Sequence, residues 1–353
     1  MKHQVRIYEV GQPSVMRHEA LTHAIAEPGP GQVHLRHEAI GLNFVDTLFR
    51  NGAFAVPLPF AMGVEGAGTV LKTGLGVEHV QPGDRVAYFF SPGAYADERL
   101  IDASQLVKLP DDVSAKTAAA ILTKGLTAWM MLFGVHQIKR GETVLVHAAA
   151  GGVGAMVSRW AQALGAKVIA TVGSPSKAAL VHAAGIEHVF DANDPQLVEK
   201  VRALNGGRGV DLVYELVGKA TFAKSVAALR DGGHLVHIGN ASGTPDIDRD
   251  VLAVREIRYQ HATTGQYAGD RAGLESGTRS LFAALKDGVF GSIAPSVYQL
   301  ADVAQAHADL EARRIAGPAI LIPRIYQPVE QTSRWRPSTS PQGRTYAEDL
   351  GDS

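Results

Sequence analysis

Residues 143 to 154 read TVLVHAAAGGVG, four aliphatic or β-branched residues running into a cluster of alanine and glycine. Ala149, Gly151 and Gly154 stand in an A-x-G-x-x-G spacing. Small residues there allow a tight turn after a strand, let the backbone approach a pyrophosphate, and permit a helix to pack closely on the sheet. Downstream, Val153, Met156, Val157, Trp160, Ala161 and Leu164 recur at helical spacing, and Gly165 is placed to end that helix. Strand, glycine turn and helix therefore follow in the order a dinucleotide-binding βαβ unit requires. The amides of Ala150, Gly151, Gly152, Val153 and Gly154 then face the anion at the helix N-terminus, where unpaired N–H groups and the helix dipole favour negative charge.

The stretch ATVGSPSK at 170 to 177 closes the next strand of the unit. Many dinucleotide sites carry an acidic residue here for the ribose hydroxyls, and that acid would repel a 2′-phosphate. This chain offers Gly173, Ser174, Ser176 and Lys177 instead. The Gly173 amide, Ser174 and Lys177 can give charge-assisted hydrogen bonds to a phosphate, so the expected cofactor is NADPH rather than NADH. The competing reading has the serines cap a helix at Pro175 and Lys177 solvated on its first turn.

Outward from this unit, strands are expected at Lys167–Val172, Val210–Val217 and His234–Ile238, giving a parallel sheet with helices over about 140–265. Residues 1 to about 125 hold short β-branched runs cut by EPGPGQ and VQPGDRVAYF, which predicts a mostly β domain. Beyond 270 come helices around Ser280–Lys286 and Asp302–Arg314 and a final apolar run, AILIP, which needs a sheet to join and so returns to the first domain. From Gln327 onward the chain is rich in Ser, Pro, Thr and charge, and reads as a disordered tail.

The formal net charge of −1 and the lack of a basic, aromatic-rich stripe argue against nucleic acid and anionic membranes, leaving a small molecule as the expected partner. There is no cysteine, so disulfides, thiolate catalysis and thiolate-based zinc sites are excluded. The fourteen histidines show no metal-ligand spacing. No leader is legible in MKHQVRIYEVG, and no window approaches a bilayer span, so a cytoplasmic protein is expected.

AIGLNFVDTLFRNG at 39 to 52, GVEGAGTV at 63 to 70, VQPGDRV at 80 to 86, TKGLTA at 123 to 128, HAAAGGVG at 147 to 154 and GNASG at 239 to 243 together resemble the zinc-independent quinone oxidoreductases. These form the zeta-crystallin-like branch of the medium-chain dehydrogenase/reductases. The resemblance runs over most of residues 1 to 325 and implies an α/β fold in two parts. A GroES-like, mostly β catalytic domain would be built from 1–125 and 266–326, with a Rossmann doubly wound parallel sheet at 126–265, NADPH between them and a homodimer overall. In zinc-dependent relatives a G-H-E motif supplies a histidine ligand; here Gly63, Val64 and Glu65 put valine at that position, so no metal is expected. Without a Lewis acid, reduction of an already electrophilic acceptor is favoured over alcohol oxidation.

Carried over by motif, Asn43 and Asp46 face the nicotinamide side of the cleft, Lys124 and Thr127 hold the nicotinamide ribose and carboxamide region, and Gly239 and Asn240 line the end of a later strand. Arg50 either orients an acceptor oxygen or forms an ion pair within its own domain. Departures from the family pattern fall at Leu48 and Phe54, where tyrosines are common, at Leu216 in place of a small polar residue, and at Ala192 in place of a tyrosine near the 2′-phosphate. Phe54, Phe60 and Phe90 are candidates for an apolar acceptor wall. Quinones are the expected acceptors and activated alkenes the alternative. A nucleotide-binding protein without turnover and a zinc alcohol dehydrogenase are the remaining readings.

Overall fold

The computed structural model describes residues 1–22 and 24–324; the tail expected from Gln327 onward lies outside them. A six-stranded sheet is built in the order His188–Asp191, Lys167–Val172, Thr143–Val146, Val210–Glu215, Leu229–His237, Arg258–His261. Every neighbouring pair is parallel. The chain starts at the third position, winds outward to one edge, then crosses to the other side and winds outward again, which is the doubly wound Rossmann arrangement. Its inner strands Lys167–Val172, Thr143–Val146 and Val210–Glu215 are almost wholly buried and mostly apolar, as helix-covered parallel strands must be, while the edge strands His188–Asp191 and Arg258–His261 are half-buried and more polar.

The strands expected at Thr143–His147 and Val210–Val217 end at Val146 and Glu215, and a buried polar side chain stands at each end. After Val146, His147 folds inward, with Nδ1 2.7 Å from Thr171 Oγ1 and Nε2 3.0 Å from Ser225 Oγ. After Val213 and Tyr214, Glu215 Oε1 accepts from the amides of Val217 (2.8 Å) and Gly218 (2.9 Å), closing the strand. Burial of His147 pushes its imidazole below its ordinary range, opposed by Glu215.

The second body is a seven-stranded, mostly antiparallel sheet centred on Gln32–Leu42 and Glu65–Thr73. The strand Ala319–Ile322 pairs antiparallel with Gln32–Leu42, placing the late segment of the described chain beside an early strand. A three-stranded sheet, Arg17–Ala20, His3–Ile7 and Phe60–Ala61, lies apart from it.

The helix Ala115–Trp129, N-capped by Ser114, ties the two bodies together. Its Ala119 and Ile121 share a core with Val144 and Val146 of the parallel sheet and with Ile320 and Ile322 of the other. Leu274, Leu281 and Ala284 of the helix Arg271–Lys286 belong to the same core, which therefore runs across positions 125 and 265. Continued through a π-helical segment to Val135, the long helix reaches 21 residues and is apolar enough by length and composition to cross a membrane. This corrects the expectation that no such window exists. With 78% of its apolar window buried inside the protein, the helix is a core element.

The helices Ala115–Trp129 and Arg271–Lys286 meet at Gly125, where an added Cβ would run into the buried Leu281 side chain, its Cγ 3.0 Å away. Overpacking of this kind costs about 1–3 kcal/mol. Gly125→Val should lower the urea midpoint accordingly, and adding Leu281→Ala should recover part of the loss. Equal midpoints for Gly125→Val and the parent would contradict the packing described.

Candidate active site

Where the strand Gln32–Leu42 ends, Asn43 caps the short helix Phe44–Arg50, and its N–H donates to Asp46 Oδ2 at 2.9 Å. The Asn43 side chain points elsewhere, donating through Nδ2 to Glu65 Oε2 at 2.7 Å. Its Oδ1 accepts from Lys124 Nζ at 2.8 Å, and that ammonium also donates to the Leu42 carbonyl at 3.3 Å and lies 3.6 Å from Glu65 Oε2. The other Glu65 oxygen accepts from the Thr123 N–H at 2.7 Å. Glu65 is fully buried, and a buried carboxylate is tolerated only with donors such as these. Asn43 and Lys124 are thus held in one hydrogen-bonded set, with Asp46 joined through the Asn43 backbone.

Asp46 is itself fully buried and accepts from Tyr95 Oη at 3.0 Å, while the Tyr95 hydroxyl also lies 3.0 Å from His307 Nε2. Burial raises the Asp46 carboxyl to about 7, against the opposing hydrogen bonds from Asn43 and Tyr95. Burial and the nearby Arg50 lower His307 to about 3, so its imidazole is neutral.

The glycine turn adjoins this set. The space where a Cβ on Gly152 would sit is taken by Lys124, with Cδ at 2.8 Å and Cε at 3.0 Å. The Lys124 stem therefore crosses the turn on its way to Asn43. A Cβ on Gly154 would strike the carbonyl of Ala148, a residue held at φ 53, so only glycine lets the helix start this close to the turn. Gly151 is the N-cap of the helix Gly152–Ala163 and is exposed, with Ala150 and Val153 half-buried beside it. These small residues form a cradle that fits a pyrophosphate at a helix N-terminus.

Gly173, Ser174 and Lys177 follow the second strand of the parallel sheet, and the turn is tied to that strand by Ala149 N–H donating to the Thr171 carbonyl at 3.0 Å. Ser174 occupies the N-cap of the helix Pro175–Ala183 but makes no side-chain cap; its Oγ lies 3.1 Å from Ser176 Oγ. Lys177 is half-buried, and among the described residues it has no ion pair. The next strand ends near Ala192, whose carbonyl accepts from Lys224 Nζ at 2.7 Å. Thr127, one turn after Lys124, donates to the Thr123 carbonyl at 2.7 Å and lies 2.9 Å from Thr264 Oγ1. Gly239 and Asn240 follow the strand Leu229–His237, and Asn240 Oδ1 lies 3.1 Å from His237 Nε2.

Arg50 forms the ion pair. Its guanidinium makes a two-pronged pair with Glu311, at 3.0 and 2.5 Å, and Nε donates to the Gly11 carbonyl at 3.0 Å. Three of its five N–H groups are engaged in these bonds, and the side chain is 2% exposed. Phe54, Phe60 and Phe90 do gather, around Phe49, at centroid distances of 5.7, 5.4 and 6.4 Å. Phe54 and Phe90 are about half exposed, and Phe90 is held in the left-handed region at φ 53, a conformation costly for a bulky residue. Leu48, at one of the common tyrosine positions, is half-buried on the same short helix.

Glu65, Tyr95, Thr264 and His307 are parts of this site that sequence reading passed over. A signal existed for Glu65 alone, as the single charge in the small and apolar run GVEGAGTV.

Two domain families match the chain: the alcohol dehydrogenase GroES-like domain over residues 29–111, and the zinc-binding dehydrogenase family over residues 152–275. A quinone oxidoreductase of Pseudomonas aeruginosa is 37% identical over 327 residues, covering 92% of this chain and all of that protein. A 2-haloacrylate reductase of a Burkholderia species is 38% identical, covering 85% of this chain and 93% of its own. The structure of Escherichia coli quinone oxidoreductase complexed with NADPH superposes with a TM-score of 0.87 at 35% identity, over 91% of this chain and all of that one.

The chain belongs to the quinone oxidoreductase family of the medium-chain dehydrogenase/reductases. It is an NADPH-dependent oxidoreductase. Although one matching family is named for zinc, no group of three His, Cys, Asp or Glu side chains among the described residues could hold a metal ion.

The raised Asp46 carboxyl makes a pH prediction. The folded chain keeps a proton up to about pH 7 that the unfolded chain releases near 3.8, so the stability this group contributes is present below about pH 4 and lost as pH rises through 7. Asp46→Asn should gain unfolding free energy relative to the parent over that window, on the order of 4 kcal/mol at most. Parallel stability curves between pH 4 and 8 would contradict the assignment.

Proposed function

We propose that the protein reduces quinones with NADPH, without a metal, as a homodimer in the cytoplasm. The observation that carries the acceptor class is the half-exposed phenylalanine cluster. Phe49 lies on the helix that Asn43 caps, and the residue after Phe90, Ser91, donates its N–H to the Val64 carbonyl at 3.0 Å, next to Glu65. An apolar aromatic wall is therefore built on the same elements as the Glu65 set, and such walls accept flat rings in offset or edge-on geometry.

When bound, the nicotinamide supplies the hydride. In this reading the Gly151–Gly154 turn holds the pyrophosphate, Gly173, Ser174 and Lys177 hold the 2′-phosphate, and Asn43, Lys124 and Thr127 hold the nicotinamide end. Gly239 and Asn240 line the same cleft. Glu65 keeps Lys124 and Asn43 from reorienting, so the protein positions the reacting groups and keeps water out. The missing tyrosines at Leu48 and Phe54 leave the acceptor side with few hydrogen-bond donors, which suits an acceptor already electrophilic enough to take a hydride.

Reduction of activated alkenes is the second reading, favoured by the 2-haloacrylate reductase relative. Tyr95 is committed to Asp46 and His307 and is buried, so the proton for the α-carbon would come from water.

The test follows NADPH absorbance with 1,4-naphthoquinone and with 3-penten-2-one, with NADH alongside. The expected result is faster turnover with the quinone and a preference for NADPH that Lys177→Ala removes through a roughly tenfold higher cofactor KM at near-constant kcat. Faster turnover with the enone would select the alkene reading. Consumption of neither acceptor would leave a nucleotide-binding protein without turnover.

A further inference from the structure

Phe90 is 50% exposed and sits at φ 53. That is the left-handed region, where a bulky side chain crowds its own backbone and glycine would sit without cost. Such a conformation persists only where the surroundings over-determine it, so the contacts on either side of Phe90 must impose it.

Both sides are held by Arg99, on the strand Glu98–Asp102. After Phe90, Arg99 Nη1 donates to the Ser91 carbonyl at 2.9 Å and Nη2 to Ser91 Oγ at 3.2 Å, while the Ser91 N–H is tied to the Val64 carbonyl. Before Phe90, Nη1 lies 3.4 Å from Tyr88 Oη, and the guanidinium stands over the Tyr88 ring, 5.2 Å from its centroid. Tyr88 is itself fixed by His37. Burial, with Arg99 nearby, lowers His37 to about 3, so its ring is neutral. A carbonyl can only accept, so the one ring proton is on Nδ1, which donates to the Ala96 carbonyl at 2.7 Å. Nε2 then accepts from the Tyr88 hydroxyl at 2.7 Å. This relay packs against Gly66, the residue after Glu65, where a Cβ would come within 2.9 Å of both the Tyr88 hydroxyl and His37 Cδ2.

Arg99 Nε donates to the Leu100 carbonyl at 3.2 Å, so the acceptors of this guanidinium are all neutral oxygens. What it supplies here is a planar fork, which a lysine of the same charge lacks. We propose, on the reading that the phenylalanine cluster walls the acceptor side, that Arg99 is a positioning residue for the acceptor. By clamping Tyr88 and Ser91 it keeps the Phe90 ring presented to a flat quinone. Arg99 does not touch the acceptor and acts through Phe90 alone.

The test is a double-mutant cycle on acceptor binding. 1,4-Naphthoquinone is titrated calorimetrically into the full-length protein saturated with NADP⁺, which has no hydride to give, so binding is read without turnover. Arg99→Lys, Phe90→Gly and the double variant stand beside the parent. Each single change should weaken quinone binding about threefold to tenfold, the scale of a lost aromatic contact. Arg99→Lys should cause no further loss where Phe90 is already glycine, and NADPH affinity should be kept in every variant, which shows that each is folded. Equal quinone affinity in the parent and Arg99→Lys, a further loss of the same size in the Phe90→Gly background, a matching loss of NADPH affinity, or no binding to the parent would each overturn the proposal. The expected pattern of binding with no reduction once NADPH replaces NADP⁺ would sink the quinone reductase reading and leave the role of Arg99 standing.

Discussion

A single buried carboxylate holds Asn43, Thr123 and Lys124 in register. Glu65 is removed from water and receives hydrogen bonds from the Thr123 amide and the Asn43 side chain, with the Lys124 ammonium close by. An ion taken into the interior is costly unless its partners are well placed, and removing one partner of such a set leaves the others stranded. The acid on the antiparallel sheet therefore fixes both the cap of the Phe44–Arg50 helix and the middle of the long core helix. The strand beside it has adapted: at Gly41 any Cβ would collide with the Glu65 carboxylate.

Through Lys124 the same constraint reaches the parallel sheet. The lysine stem fills the space that Gly152 leaves open, so the glycine turn is shaped on one side by its own backbone at Ala148 and on the other by a side chain from the long helix. Charge and packing act in one direction here, since the cation that the Glu65 and Asn43 oxygens hold is carried on the stem that packs the turn. The aromatic cluster is set by the same parts, because Phe49 rides on the capped helix and the Phe89–Ser91 turn is bonded to the strand segment that precedes Glu65.

Local patterns made the doubly wound half of the fold legible. Apolar strands, a glycine turn and a helical repeat sit within thirty residues of one another, and the structure has them within a residue or a few at most positions. At Glu215 the strand end shifted because that buried side chain takes the amides of Val217 and Gly218, which an apolar run does not reveal, whereas at His147 the ring turns in to the Thr171 and Ser225 hydroxyls. The long helix does not read as a membrane-length segment by eye because its alanines, threonines and two lysines, Lys116 and Lys124, interrupt the apolar run. The site was legible where a motif carried it and silent where contacts span the chain. The partner of Arg50 lies 261 residues away, and Asp46, Tyr95 and His307 meet from three distant segments. Such pairings come from tertiary packing and leave no trace in spacing.

The most direct test of the account is steady-state turnover of Glu65→Gln with NADPH and 1,4-naphthoquinone. The amide keeps the size of the side chain but turns one acceptor into a donor facing the Asn43 and Lys124 donors. The account predicts a loss of kcat/KM of about tenfold or more, the scale of a broken charge-assisted bond, in a protein that still shows a cooperative unfolding transition. Turnover equal to that of the parent would contradict the claim that this carboxylate sets the geometry of the reaction.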